Sequence, residues 1–183
     1  MNQMVNICYV VESIRAGGLE KHVIDLSQGI DRKRYNPRIF SLAPKSKRDL
    51  SIEGVGNVVF LNLRNLAGRR ALFSLFSMIT FLRREKIAIV HAHGRTSVIF
   101  GGLASVISGV PILILTVHGI GKRRQTNRII DCLKSILARL VYRKASAIIA
   151  VSHAVKDFIC SYAKVDRNKV YVIYHGIKLE ASK

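Results

Sequence analysis

Short apolar runs alternate along the chain with longer stretches of helical period. The runs are Val5 to Val11, Arg38 to Leu42, Asn57 to Leu61, Ala88 to His91, Ile112 to Val117, Ala147 to Val151 and Val170 to Tyr174. Most are nearly continuous in apolar residues and do not alternate with polar ones, which predicts parallel strands buried on both faces. Between them, Leu19, Val23, Leu26 and Ile30 keep helical spacing, as do Ile129, Leu133, Ile136, Leu137 and Leu140 on a segment edged by Arg128, Lys134 and Arg139. Both read as amphipathic helices with an inward apolar face. Ser152 is placed to cap a further helix from His153 to about Tyr162. Strands alternating with helices in this way predict a doubly wound, mostly parallel Rossmann-like α/β sheet of about seven strands, with helices on both faces.

Two segments bear on membranes. Val98 to Val117 has twenty residues without a charge, but Gly109 and Pro111 divide it into a helix-like half and a β-branched half, so it predicts two elements of a soluble protein and no span. In Ala71 to Leu82, "ALFSLFSMITFL", Ser74, Ser77 and Thr80 are the only polar breaks, and an arginine pair stands at each end. A face so wide predicts a buried crossover helix, the alternative being partial insertion into a membrane surface.

Composition narrows the partners. The 183 residues carry 30 Lys and Arg against 11 Asp and Glu, a net charge of +19, so anionic partners are expected: nucleic acid, acidic membrane or phosphorylated substrates. Cys8, Cys132 and Cys160 are odd in number and form no CxxC pair. That argues against a disulfide framework or zinc knuckle and for a reducing, cytoplasmic compartment. The N-terminus has no cationic region ahead of its apolar run, and reads as a first strand, not a signal peptide.

Candidate chemistry gathers where the strands end, the edge at which open parallel sheets bind ligands. Gly17-Gly18 follow the first strand, His91-Ala92-His93-Gly94-Arg95 the fourth, and His118-Gly119-Ile120-Gly121-Lys122 the fifth; Ser152-His153 and His175-Gly176 follow the sixth and seventh. Five of the six histidines therefore fall at one edge. Gly17-Gly18 either supplies positive φ for a turn or lets a phosphate approach the N-terminus of the next helix. Glu20 reads as a first-turn residue complementing the helix dipole, and Glu12 is the one carboxylate placed at a strand's carboxyl end. His91 and His93, two apart, share a face; a hydrogen-bonding role outweighs a metal pair because further ligands are scarce. His118 closes a β-branched strand before a glycine turn and is the leading single residue. The following "GIGKRR", with Lys122, Arg123 and Arg124, is either a diphosphate-binding loop or a solvated basic one. No GxSxG nucleophile elbow is present.

Taken together, Gly17-Gly18-Leu19-Glu20, "VHAHG" at Val90 to Gly94, "TVHG" at Thr116 to Gly119, "AVSHAVKDF" at Ala150 to Phe158 and "VIYHGI" at Val172 to Ile177 resemble the N-terminal half of a family-four retaining glycosyltransferase of the GT-B fold. The resemblance spans essentially the whole chain. It implies an acceptor-side Rossmann-like domain over residues 1–175, the start of an interdomain linker over 176–183, and a C-terminal donor domain absent from this sequence. By that resemblance Gly17 and Gly18 approach the donor diphosphate, and His118 contacts the transferring sugar as the catalytic residue. His93, Gly94, Arg95, Gly119, Lys122 and Arg123 line the acceptor side of the cleft. No metal or cofactor is implied, the nucleotide-sugar being a substrate held chiefly by the missing domain. The acceptor is a glycan or lipid-linked glycan of the cell envelope, and a basic face suits a peripheral position on an anionic membrane. The isolated domain is expected to lack transferase activity. The linker motif of the family often reads Asn-Gly where this chain has His175-Gly176, so His175 receives no role.

Two other classes compete. A basic nucleic-acid-binding α/β module fits the charge, but only thirteen Phe and Tyr and no Trp are available as stacking platforms. A histidine-based metallohydrolase would need ligands that the scarce acids do not supply.

Overall fold

The structure is a computed structural model describing residues 4–47, 49–50, 57–63, 69–119 and 128–176. Its elements are β1 (Val5–Val11), α1 (Gly18–Gly29), β2 (Tyr35–Ser41), β3 (Asn57–Phe60), α2 (Arg69–Arg84), β4 (Ile89–His93), α3 (Arg95–Ser108), β5 (Ile112–Val117), α4 (Arg128–Lys144), β6 (Ala147–Ala150), α5 (His153–Ala163), a 3-10 turn (Arg167–Lys169) and β7 (Val170–Val172). The strands form one sheet in the order β3-β2-β1-β4-β5-β6-β7, and every strand pair is parallel. The order reverses between β1 and β4, which opens a crevice beyond their carboxyl ends.

Local signals fix the elements. α3 stops at Gly109, whose φ of 76° gives a left-handed cap, and β5 follows after Pro111, so the uncharged run is two elements as its sequence requires. Ser152 caps α5 by accepting from the Val155 N–H at 3.2 Å. β4 extends to His93, two residues past the sequence expectation, because its pairing with β5 continues to Thr116.

Alternating side chains of the strands feed two cores. On one face Val10, Phe40, Val90 and Leu115 pack with Met78 and Leu82 of α2 and Val141 of α4. On the other, Tyr9, Val11 and Ile39 pack under Val23 and Ile24 of α1. Each large side chain so buried contributes roughly 1.5–3 kcal/mol. Right-handed crossovers set this division: the step from β1 to β2 runs one way along the sheet, and the steps from β3 onward run the other. α3 and α4 approach closely at Gly102, where an added β-carbon would run into the Val141 side chain.

Two helices depart from the sequence expectation. α2 is not a buried crossover helix: Ala71, Ser74, Met78 and Leu82 face the core, while Leu72, Phe73 and Phe76 are 69, 72 and 67 % exposed. On α4, Leu133, Ile136 and Leu140 face outward, and the buried side is formed by Ala138 and Val141, with Ala145 just past the helix end. Both helices carry apolar residues around much of their circumference. Periodicity alone does not say which stripe turns inward, and on α4 the smaller residues do so.

Candidate active site

The crevice edge collects imidazoles from four elements. Tyr9 of β1 stands beside His91 of β4 in register, their rings 5.7 Å apart. His93, two residues on, lies on the same face with its ring 4.0 Å from that of His91. β5 contributes Thr116, whose hydroxyl sits 2.7 Å from His91 Nε2, and then His118, whose Nε2 is 3.4 Å from His93 Nδ1. Beyond β7 the chain returns His175 to the same point, its Nε2 at 2.9 Å from His118 Nδ1.

His22 completes the group from above. It projects from the second turn of α1, its ring 4.4 Å from His175 and 6.2 Å from both His93 and His118. Sequence reading missed it because it lies within a helical pattern and not at a strand end; its distance of one helical turn from Gly18 was the available signal. His153, counted among the strand-end histidines, is exposed at the start of α5 and meets Tyr174 instead, ring to ring at 6.5 Å.

Burial and mutual proximity favour the neutral form of four of these rings, His22, His91, His93 and His118. His91 is pushed down to about 3 and His118 to about 4, in each case chiefly by burial and secondly by neighbouring imidazoles. His93, fully buried, lies well below the usual range for the same reasons, and His22 is lowered by burial and by His175, with Asp25 opposing. A neutral imidazole offers one donor and one acceptor. The contacts from His93 through His118 to His175 therefore form a chain in which His118, as a neutral ring, donates to one neighbour and accepts from the other. The Nε2 of His93 lacks a hydrogen-bond partner among the described residues. Such a chain offers hydrogen bonds at fixed positions and is poorly suited to hold a proton near neutral pH.

Two helix N-termini frame the cluster. Gly17 caps α1 in an extended conformation, φ −171°, with no side-chain cap. Neither Gly17 nor Gly18 has positive φ, which removes the bland reading that the pair supplies a left-handed turn. Gly17 instead lacks a side chain where the Glu20 carboxylate folds over the helix start, so an added β-carbon would collide with it. The Ser13 hydroxyl lies 3.3 Å from the other oxygen of Glu20. Gly18 is exposed with open space around it, while the Glu20 carboxylate covers the approach at Gly17. At the second terminus, Gly94 links β4 to α3 with φ 86°, a conformation that strains other residues. Here the Glu12 carboxylate accepts from the Thr96 N–H at 2.6 Å, so the one strand-end acid caps a helix.

Of the remaining expected site residues, Arg95 is exposed in the first turn of α3 and Gly119 is exposed after His118. Lys122 and Arg123 lie outside the described residues. Among the described residues no set of three His, Cys, Asp or Glu side chains is arranged to hold a metal ion, and no helix is long and apolar enough to cross a membrane.

Comparison with known proteins places this edge in context. Residues 16–181 match the family model described as Glycosyltransferase Family 4. The chain belongs to glycosyltransferase family 4. Over 121 residues it is 31 % identical to the UDP-Gal:alpha-D-GlcNAc-diphosphoundecaprenol alpha-1,3-galactosyltransferase of Escherichia coli, covering 64 % of this chain and 30 % of that one. Over 167 residues it is 26 % identical to the capsular polysaccharide biosynthesis glycosyltransferase CapM of Staphylococcus aureus, covering 91 % and 39 %. Among solved structures it resembles the lipopolysaccharide outer core galactosyltransferase WaaB, with TM-score 0.72, 15 % identity and coverage of 96 % and 47 %. It also resembles Anabaena HepE in complex with UDP and glucose, with TM-score 0.68, 19 % identity and coverage of 93 % and 44 %. The family-4 chain thus spans less than half the length of these relatives, and the structural likenesses, at such identities, speak for the fold.

Proposed function

We propose that this family-4 domain is the acceptor-side half of a retaining, nucleotide-sugar-dependent glycosyltransferase of cell-envelope glycan synthesis, and that it is inactive until joined to a donor-binding domain. The observation that carries the reading is that α1, which starts at Gly17-Gly18 without a side-chain cap, brings His22 to within 6.2 Å of His118, lowered to about 4, at the carboxyl edge of the sheet. Transfer from a nucleotide-sugar builds negative charge on the leaving diphosphate and positive charge on the sugar ring. Both are met by oriented dipoles, and neither requires a strong base.

In this reading the diphosphate approaches Gly17 and Gly18. His118 hydrogen-bonds the transferring sugar, held in orientation by His93 beneath it and His175 beside it. Gly94, Arg95 and Gly119 contact the acceptor, a role that Lys122 and Arg123 share. Relatives named for lipid-linked and capsular products favour a glycan or undecaprenol-type acceptor, and the net charge of +19 favours a peripheral cytoplasmic position against anionic lipid. The test is to assay the 183-residue chain and its parent protein side by side for sugar transfer from nucleotide-sugars. Transfer by the parent alone supports the reading; transfer by the isolated chain, or by neither, overturns it.

A further inference from the structure

Of the open or partly open rings at the crevice, His22 is the one with both nitrogens unengaged among the described residues. A neutral imidazole has one donor and one acceptor, and His118 engages both: its Nε2 meets His93 Nδ1 at 3.4 Å and its Nδ1 meets His175 Nε2 at 2.9 Å. A ligand gains a nitrogen of His118 only as one of these contacts opens. His22 needs no such change. Its ring is half-buried, neither sealed in the core nor loose in solvent.

Its neighbours set its place. His118 and His175 stack with planes 11° apart, and His22 stands nearly perpendicular to both, at 76° and 73°, with ring centroids 6.2 and 4.4 Å away. The fully buried His93, with its unpartnered Nε2, lies 6.2 Å from His22 as well. The rings thus form a polar corner, one wall from β5 and the segment after β7 and the other from α1. Val23 and Ile24, next in sequence, are buried in the core beneath α1. The helix therefore cannot carry His22 away from the corner without lifting them out of close packing.

The chemistry of the corner selects the ligand. Burial first and His175 second lower the titration of His22, against Asp25, so at neutral pH its ring keeps one N–H and one lone pair. A sugar hydroxyl both donates and accepts, and matches that pair. A phosphate only accepts there, and a neutral ring offers it no charge. We propose that His22 is a second sugar-contacting residue of the crevice, its ring hydrogen-bonding a hydroxyl of the transferring sugar one helical turn beyond Gly18. Because a site built to bond a hydroxyl rejects a sugar that lacks it, His22 acts on the choice of sugar and not on the nucleotide. The assignment rests on the transferase reading, and its test separates the two.

The test is calorimetric binding of UDP-glucose, UDP-galactose, UDP-N-acetylglucosamine and GDP-mannose to the parent protein and its His22 variants, with UDP and GDP as the sugar-free arms, paired with transfer kinetics. His22→Phe keeps a ring and removes both polar atoms. It is expected to weaken the nucleotide-sugar that binds by about tenfold, and to leave the matching nucleoside diphosphate within about twofold. The donor KM should rise with the acceptor KM in place. His22→Asn, which keeps a donor and an acceptor, is expected to recover part of the loss. Should His22→Phe fail to fold, His22→Ala against His22→Asn carries the same comparison. Equal weakening of sugar-bearing and sugar-free ligands, a rise in acceptor KM alone, or wild-type binding by a folded His22→Phe would each overturn the proposal. A parent that loses nucleotide-sugar affinity with His22→Phe yet transfers no sugar as wild type would uphold the contact and sink the transferase reading; one that binds none of the four would sink both.

Discussion

His118 and His175 stack with ring centroids 4.9 Å apart and planes 11° from parallel, their nitrogens bridged at 2.9 Å across 57 residues of sequence. The contact ties the segment after β7 to the leading residue of the crevice. It also helps keep His118 neutral, since His175 is among the groups that lower it. His175→Ala removes a like charge and opens the ring to water, so the His118 titration should move up from about 4 toward the ordinary imidazole range. Ring-nitrogen NMR across acid pH reads this directly; an unmoved or lowered midpoint contradicts the assignment.

Acid should weaken the fold through the same rings. His91 and His118 have folded pKa values of about 3 and about 4, against 6.5 when unfolded. Between those values the unfolded chain binds more protons than the folded one. Their contribution is therefore complete above about pH 6.5 and is lost as the pH falls toward 4 and below. Denaturant midpoints measured from neutral to acid pH should fall through that window. His91→Gln, which cannot titrate, should flatten the decline; a midpoint that rises on acidification contradicts the sign.

Two glycines should separate stability from function. Gly102→Ala meets the Val141 side chain where α3 and α4 approach, and is expected to cost about 1–3 kcal/mol of unfolding free energy. Gly18→Ala meets open space at the α1 terminus and should alter stability by no more than about 0.5 kcal/mol. Under the proposed function the second substitution crowds the diphosphate, so the parent enzyme should lose transfer while its unfolding midpoint holds. Paired denaturation and activity assays distinguish the two sites.

Much of this was legible in the chain and some was not, for physical reasons. Nearly continuous apolar runs mark strands covered on both faces, so all seven strands were found, with small errors at their ends. The strand-end position of His91, His93 and His118 follows from the same pattern. His22 was not found because a helical side chain reaches the crevice only once α1 is packed on the sheet. The outward faces of α2 and α4 escaped for a different reason. Where apolar residues wrap most of a helix, as from Leu72 to Phe81, tertiary packing chooses the buried stripe, and here it chose Ala71, Ser74, Met78 and Leu82.

The central claim is that the crevice at the β1–β4 reversal is one wall of a glycosyl-transfer site, with His118 touching the sugar. The most direct measurement is sugar transfer by the parent enzyme carrying His118→Ala, compared with wild type under saturating donor. The account predicts a loss of about a hundredfold or more in kcat with the fold intact. A variant that folds normally and turns over within about twofold of wild type would contradict it.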